Sequence, residues 1–277
     1  MTKILVMPSD NNIEKLKETD GYLLSLQGWS VNSPYKVTLE EIKNIKNEMK
    51  SKEIFVSFNK NIYSSEIESL KNILKEIETL ELAGIFYADT CFIQLKKELH
   101  LKTPLIWAQE HLTTNYETIN FWNQYGVSGA YLSPEITLKE IEEIKNHTSS
   151  TLVVSIFGYL PMFSSKRHEI KNYFNHFQIH DSSSIYYIEK ENKSYPIIDE
   201  EDGTTAYTAF ILNGFEEYLK LNVDYVTLNS FDIDSEVFLK ILNIYKNKNI
   251  EEAKKIEQWI SNLDKGFLYK ETIYKIK

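Results

Sequence analysis

A single arginine occurs in the 277-residue chain, Arg167, in the run Ser164-Ser165-Lys166-Arg167-His168; every other residue in the Lys+Arg total of 31 is a lysine. A guanidinium is a planar fork that grips carboxylate or phosphate bidentately, a geometry lysine cannot copy. Lys166, Arg167, His168 and Lys171 form the one compact basic cluster suited to a phosphate or a dicarboxylate. A second concentration of hydrogen-bonding groups is Glu110-His111-Leu112-Thr113-Thr114-Asn115. Glu110 and His111 there, with Glu135, are the candidate acid–base residues. The candidate substrate-binding residues are Gln27, Asn59, Asp89, Thr113, Asn115, Ser133, Tyr159, Lys166, Arg167 and Asn229, most of them just past an apolar run. Thr114 or Asn115 also reads simply as a helix N-cap.

Several chemistries are excluded by what is missing. His168-Glu169 begins like H-E-x-x-H, but Asn172 occupies the place of the second histidine. His176 and His180, four apart beside Asp181, offer two metal ligands on a helix face, though such a pair is more often a surface coincidence. No G-x-S-x-G elbow is present. Cys91 is the sole cysteine, so intrachain disulfides and C-x-x-C metal sites are impossible, and a buried structural thiol is the simplest reading of it. Asp199-Glu200-Glu201-Asp202 reads as a solvated turn. With a net charge of −9, no global positive field draws in nucleic acid. No apolar run approaches the roughly 20 residues that span a bilayer, and Met1-Thr2-Lys3 leads straight into Ile4-Leu5-Val6, so a soluble cytoplasmic protein is expected.

The elements that must position these groups are short apolar runs alternating with amphipathic segments. Strands are expected at Ile4–Met7, Tyr22–Leu26, Ile54–Phe58, Ile85–Tyr87, Leu105–Ala108, Ala130–Leu132, Leu152–Phe157 and Tyr225–Leu228. Helices are expected at Leu39–Met49, Glu66–Leu80 and Leu138–Lys145. Eight strands with crossover-length connections point to an α/β fold, a (β/α)8 barrel in one domain spanning residues 1–277. An open doubly wound sheet is the alternative, disfavoured by the lack of G-x-G-x-x-G after the first strand. An insertion at about 159–208 follows the seventh strand and carries a hairpin around Asn192-Lys193 and a second turn at Asp202-Gly203. A C-terminal extension at about 250–277 holds a helix Glu251–Leu263 and an alternating tail Phe267–Ile276, after a helix Ser235–Lys246. Val37-Thr38-Leu39-Glu40-Glu41-Ile42 echoes Ile136-Thr137-Leu138-Lys139-Glu140-Ile141, each a capping box that precedes a strand containing Val-Ser. Half-barrel duplication and two independently capped helices both produce that echo.

Tyr131-Leu132-Ser133-Pro134-Glu135-Ile136-Thr137-Leu138, the strand into Gly158, and Ser164-Ser165-Lys166-Arg167 together resemble the signature region of peptidase family U32, the collagenase-like proteases. The likeness continues through Lys171-Asn172-Tyr173-Phe174, Tyr195-Pro196-Ile197, Glu201-Asp202-Gly203-Thr204, Asp264-Lys265-Gly266-Phe267 and Lys270 to Tyr274. Within the family it is similar to the shorter bacterial paralogue associated with tRNA wobble-uridine hydroxylation. The resemblance implies a barrel and prephenate-dependent tRNA hydroxylation. Hydroxylating members hold an iron–sulfur cluster on cysteines in and after the signature loop, where this chain has Tyr159, Leu160, Pro161, Met162 and Ser164. The resemblance therefore implies no cofactor bound by this chain, a cluster carried by a cysteine-bearing U32 paralogue, and tRNA reached through that partner. Two other functions compete: a U32-type peptidase or hydrolase, and a non-catalytic barrel whose Arg167 grips a small carboxylate such as prephenate.

Overall fold

The computed structural model describes residues 2–109, 111–181 and 183–270. Seven parallel strands come first: β1 (Lys3–Met7), β2 (Gly21–Ser25), β3 (Glu53–Phe58), β4 (Gly84–Tyr87), β5 (Leu105–Trp107), β6 (Gly129–Tyr131) and β7 (Thr151–Gly158). The chain then makes β8 (Pro161–Ser165), β9 (Tyr186–Lys190), β10 (Lys193–Glu200), β11 (Gly203–Tyr207) and β12 (Ile211–Asn213) before returning to the sheet as β13 (Tyr225–Asn229). Strand β13 pairs in parallel with both β1 and β7, which closes an eight-stranded ring. The fold is a (β/α)8 barrel, and all eight expected strands lie in it.

Strand composition follows from burial on two faces. One parity, Leu5, Leu23, Phe55, Phe86, Ile106 and Val153, fills the inside of the ring. The other, including Ile4, Val6, Leu24, Ile54, Val56 and Val154, packs outward beneath the helices. A strand covered on both sides reads as a continuous apolar run with no polar alternation. The covering helices are α1 (Leu39–Glu48), α2 (Ile67–Glu78), α3 (Cys91–Leu99), α4 (Tyr116–Gln124) and α5 (Leu138–His147); α6 (Glu169–Phe177) belongs to the insertion, and α7 (Phe215–Tyr218) and α8 (Ser235–Asn247) follow it. Between β1 and β2 there is only a 3-10 turn, Ile13–Leu16. Both echoed segments are capping boxes: Thr38 accepts from the Glu41 amide at 3.2 Å, and Thr137 accepts from the Glu140 amide at 3.3 Å. They start the helices before β3 and β7, four strands apart in the ring, as half-barrel duplication would place them.

The insertion is an antiparallel sheet in the order β8-β11-β10-β9, carrying α6. Its β9–β10 hairpin turns on Glu191 and Asn192, both at positive φ, which matches the right-handed twist of the flanking strands. The C-terminal extension differs from expectation. Helix Glu251–Leu263 is replaced by α9 (Ile250–Ala253) and α10 (Ile256–Trp259), because Ile260 is extended and β14 (Leu263–Asp264) pairs with β12. Phe267–Lys270 forms a turn whose Leu268 carbonyl accepts from the Leu138 amide, and the rest of the expected alternating tail lies outside the described residues.

Candidate functional site at the barrel mouth

Parallel strands end on one rim, and each contributes a side chain to the chamber there: Met7, Ser25, Ser57, Phe86, Ala108 just past β5, Tyr131, Ser155 and Thr227. The space between these walls, its opening to solvent included, is about 840 Å³. Tyr131 anchors its polar wall, its hydroxyl 2.6 Å from Ser155 Oγ and 2.8 Å from Thr227 Oγ1. Phe86 sets the ring of Tyr131 by edge-to-face packing at 5.6 Å.

The roof is the crossing Tyr159-Leu160-Pro161. Gly158 enters it at φ 112, and a Cβ there would sit 2.4 Å from the Asn229 carbonyl oxygen, so only glycine permits the approach. Asn229 Nδ2 donates to the Tyr159 carbonyl at 3.2 Å, and Asn262 Nδ2 donates to the Tyr159 hydroxyl at 3.0 Å. Burial pushes the Tyr159 phenol above its ordinary range, so it stays protonated.

Outside the chamber lies a wider vestibule, about 1110 Å³ with the open solvent at its mouth included, continuous with it through Val31, Asn32, Asn59 and Ala108. The barrel supplies Lys60 and His111 to its walls, and the cap sheet supplies Lys166, Glu200 and Asp202. Lys60 bonds Glu66 at 2.7 Å, and that hydrogen bond, with another from the Tyr63 amide, holds the Glu66 carboxyl below its ordinary range. Lys166 Nζ sits 3.7 Å over the ring of Tyr63 and donates to its hydroxyl.

The cap is fastened to the barrel at several points. Asn32, at φ 62, accepts through Oδ1 from the hydroxyls of Ser164 and Thr205. Lys36 reaches up to Asp202 at 2.7 Å and Glu200 at 3.2 Å. Burial raises the Glu200 carboxyl despite the Lys36 charge beside it; burial lowers the Lys36 ammonium, yet bonding to Asp202 and the two carboxylate charges leaves it raised overall. The acidic run Asp199–Asp202 is thus not the solvated turn its composition suggests. The Asp199 side chain is buried, accepts from the Lys171 amide at 3.0 Å and lies 2.6 Å from His168 Nδ1, which ties down the start of α6. Tyr187 donates to both oxygens of Asp232, at 3.0 and 2.8 Å.

Asn59, Tyr159 and Asn229 line the chamber, and Asn59, His111 and Lys166 line the vestibule. Asn59 is engaged in both directions with the Val31 backbone, at 2.8 and 3.0 Å. His111 Nδ1 lies 3.6 Å from Glu135 Oε1, both half-exposed at the rim. Glu110 lies outside the described residues. Gln27 is exposed on a turn; Asp89 accepts from the Ile62 and Cys91 amides at the head of α3; Asn115 is the N-cap of α4. Thr113 and Ser133 are buried and joined through the Ser133 amide, which donates to the Thr113 carbonyl. Arg167 does not face the opening: it is exposed on the turn after β8 and lines neither cavity, its backbone bonded to Ser165 and Thr204. Cys91, at the start of α3, packs against the helix-facing core, and burial first, then the Asp89 charge, pushes its thiol up to about 12. Among the described residues no cluster of three or more His, Cys, Asp or Glu could hold a metal ion, and His176 and His180 are exposed. Among them, too, no helix is long and apolar enough to cross a membrane.

The family model for peptidase family U32 matches residues 32–265, from the Asn32 latch to the strand β14. The chain belongs to this family. It is 26% identical over 255 residues to tRNA hydroxylation protein P2 of Bacillus subtilis (strain 168), covering 80% of this chain and 81% of that one. To tRNA hydroxylation protein P1 of the same organism it is 24% identical over 170 residues, covering 58% of this chain but only 40% of P1. Among solved structures, the U32 peptidase Mk0906 superposes with a TM-score of 0.54 at 14% identity, covering 83% of this chain and 92% of that one. At that identity the likeness speaks to the fold.

The polar wall of the chamber (Ser25, Ser57, Tyr131, Ser155 and Thr227) is absent from the residues picked out by sequence. Its signal was a hydroxyl side chain inside an apolar strand, such as the Val56-Ser57 and Val154-Ser155 pairs of the internal echo.

Proposed function

We propose that this chain is a tRNA-modification subunit, acting in the cytoplasm in wobble-uridine hydroxylation beside a cysteine-bearing U32 paralogue. The observation that carries the proposal is the match to P2 across about four-fifths of both chains. A second relative, P1, from the same organism as P2, has more than half of its length outside the match, which is compatible with a paralogue partner.

The donor set at the mouth supports a partner for the oxidative chemistry. No described residue lining the chamber or vestibule is a cysteine, and Cys91 holds its proton tightly in the helix layer. These side chains do not fit an iron–sulfur cluster, whose ligands are thiolates. A small dicarboxylate such as prephenate finds its cationic groups in the vestibule, at Lys60 and Lys166 with His111 nearby. Apart from the target nucleotide, the tRNA contacts are assigned largely to the partner, in keeping with the net charge of −9.

Mass spectrometry of tRNA nucleosides from a deletion strain tests this. Loss of the hydroxylated wobble uridine, restored by the gene in trans, is expected; an unchanged nucleoside profile refutes it. A peptidase would use the rim pair His111–Glu135 for proton transfer. Cleavage of gelatin or peptides by the purified chain, abolished by Glu135→Gln, would favour that reading instead.

A further inference from the structure

The chamber and the vestibule, though continuous, differ in charge. Among the described residues no Lys, Arg, His, Asp or Glu lines the chamber; its polar side chains there are hydroxyls and amides. An anion placed there would lose its hydration and meet no cationic partner, which costs several kcal/mol even after relaxation. The hydroxyls stand on two separate walls. Tyr131, Ser155 and Thr227 bond one another on β6, β7 and β13. Ser25 and Ser57 stand side by side on β2 and β3, only 9% and 8% exposed, and neither Oγ bonds any other described residue. Both hydroxyls border the open space of the chamber, where a ligand can bond them. Phe86 and Phe157 add aromatic surface.

We propose that the chamber binds one uncharged, flat ring carrying hydroxyl- or amide-type groups on its edges, while the anionic part of the same ligand remains in the vestibule beside Lys60 and Lys166. Ser25 and Ser57 bond one edge of the ring and the Tyr131 triad the other, with aromatic side chains against its faces. Taking the ring to be a pyrimidine base rests on the proposed role in tRNA modification; the sorting by charge rests on the lining alone.

Uracil and orotate share one ring and differ by a carboxylate, which makes them the probes. Ligand-observed NMR titration of the purified full-length chain is expected to show saturable uracil binding, with orotate at least tenfold weaker. Ser57→Ala and Tyr131→Phe should each weaken uracil about five- to tenfold by removing one hydrogen bond. Tyr131→Phe keeps the ring that packs the barrel, so it reports on the hydroxyl even if Ser57→Ala disturbs folding. Orotate binding as tightly as uracil, no saturable uracil binding, or unchanged affinity in folded Tyr131→Phe each overturns the proposal. The two readings fail separately. Absent uracil binding with loss of the modified nucleoside in the deletion strain would refute only the chamber assignment. Uracil binding with unchanged tRNA would refute only the role.

Discussion

Replacing Lys36 with methionine removes the cation that holds the hairpin turn of the cap against the barrel. In the native chain its side chain is 11% exposed and neutralises Glu200 at 3.2 Å and Asp202 at 2.7 Å, themselves 23% and 20% exposed. Breaking a fully buried pair costs about 3–5 kcal/mol, because the remaining charge is stranded. Partial exposure here scales that down to about 2–3 kcal/mol, with two carboxylates left facing each other. On a chain of this size such a loss lowers Tm by roughly 4–8 °C if cap and barrel melt together. The pH dependence carries the sharper prediction. Glu200 is already raised by burial, and Lys36 is the group that opposes the rise, so Lys36→Met lifts this carboxyl further. A carboxyl whose folded pKa exceeds its unfolded one keeps more protons when folded, so stability falls as pH rises from the unfolded value to the folded one. The deficit of the variant should therefore be largest at neutral pH and shrink on acidification toward pH 5. Thermal melts at both pH values and limited proteolysis of the β10–β11 turn are the assays. Lys36→Met with Glu200→Gln and Asp202→Asn should recover most of the loss. An equal deficit at pH 5 and pH 7, or a triple variant no more stable than the single, would show that the ion pair does not hold the cap.

Two further outcomes follow from the same coordinates. With its thiol pushed up to about 12, Cys91 should resist iodoacetamide at pH 8, where roughly one molecule in ten thousand carries the thiolate, and react readily once unfolded; fast native labelling would contradict its burial. Thr38→Ala and Thr137→Ala should each cost about 1 kcal/mol in urea unfolding, and the double variant their sum, since the capped helices lie four strands apart in the ring; a single loss much larger than the other would show that one cap supports more than its own helix.

The barrel was legible because its strands are buried twice over. A segment such as Leu152–Phe157, covered by other strands' side chains within and helices without, has no polar face to interrupt the run, and all eight such segments are strands. The helix caps were legible for an equally local reason: a Thr and a Glu three residues apart close a box with no help from the rest of the fold. Where the reading failed, the deciding partner was distant. The apolar spacing from Ile256 onward continues as a helix would, but Ile260 leaves it so that Leu263 can pair with Ile211. The Asp199–Asp202 run has the composition of a solvated turn, and only a lysine 164 positions earlier makes it a clasp, bonding Glu200 as well as Asp202.

The site was half legible, and the missing half sits inside the strands. Residues just past the strand ends reach the vestibule or cap the following helix, as Asn59, His111 and Asn115 do. The chamber is instead built by the last inward-facing position of each strand. Side chains alternate with period two, so Leu23 leads to Ser25, Phe55 to Ser57, Val153 to Ser155 and Tyr225 to Thr227. In each case an apolar barrel filler is followed, one repeat nearer the rim, by a hydroxyl. Arg167 shows the opposite error: its rarity suggested a role at the opening, but position is set by the turn after β8, which sends Lys166 to the vestibule and Arg167 to solvent. Among the described residues charge therefore stops at the vestibule, and the depth of the barrel is lined by hydroxyls, amides and apolar side chains.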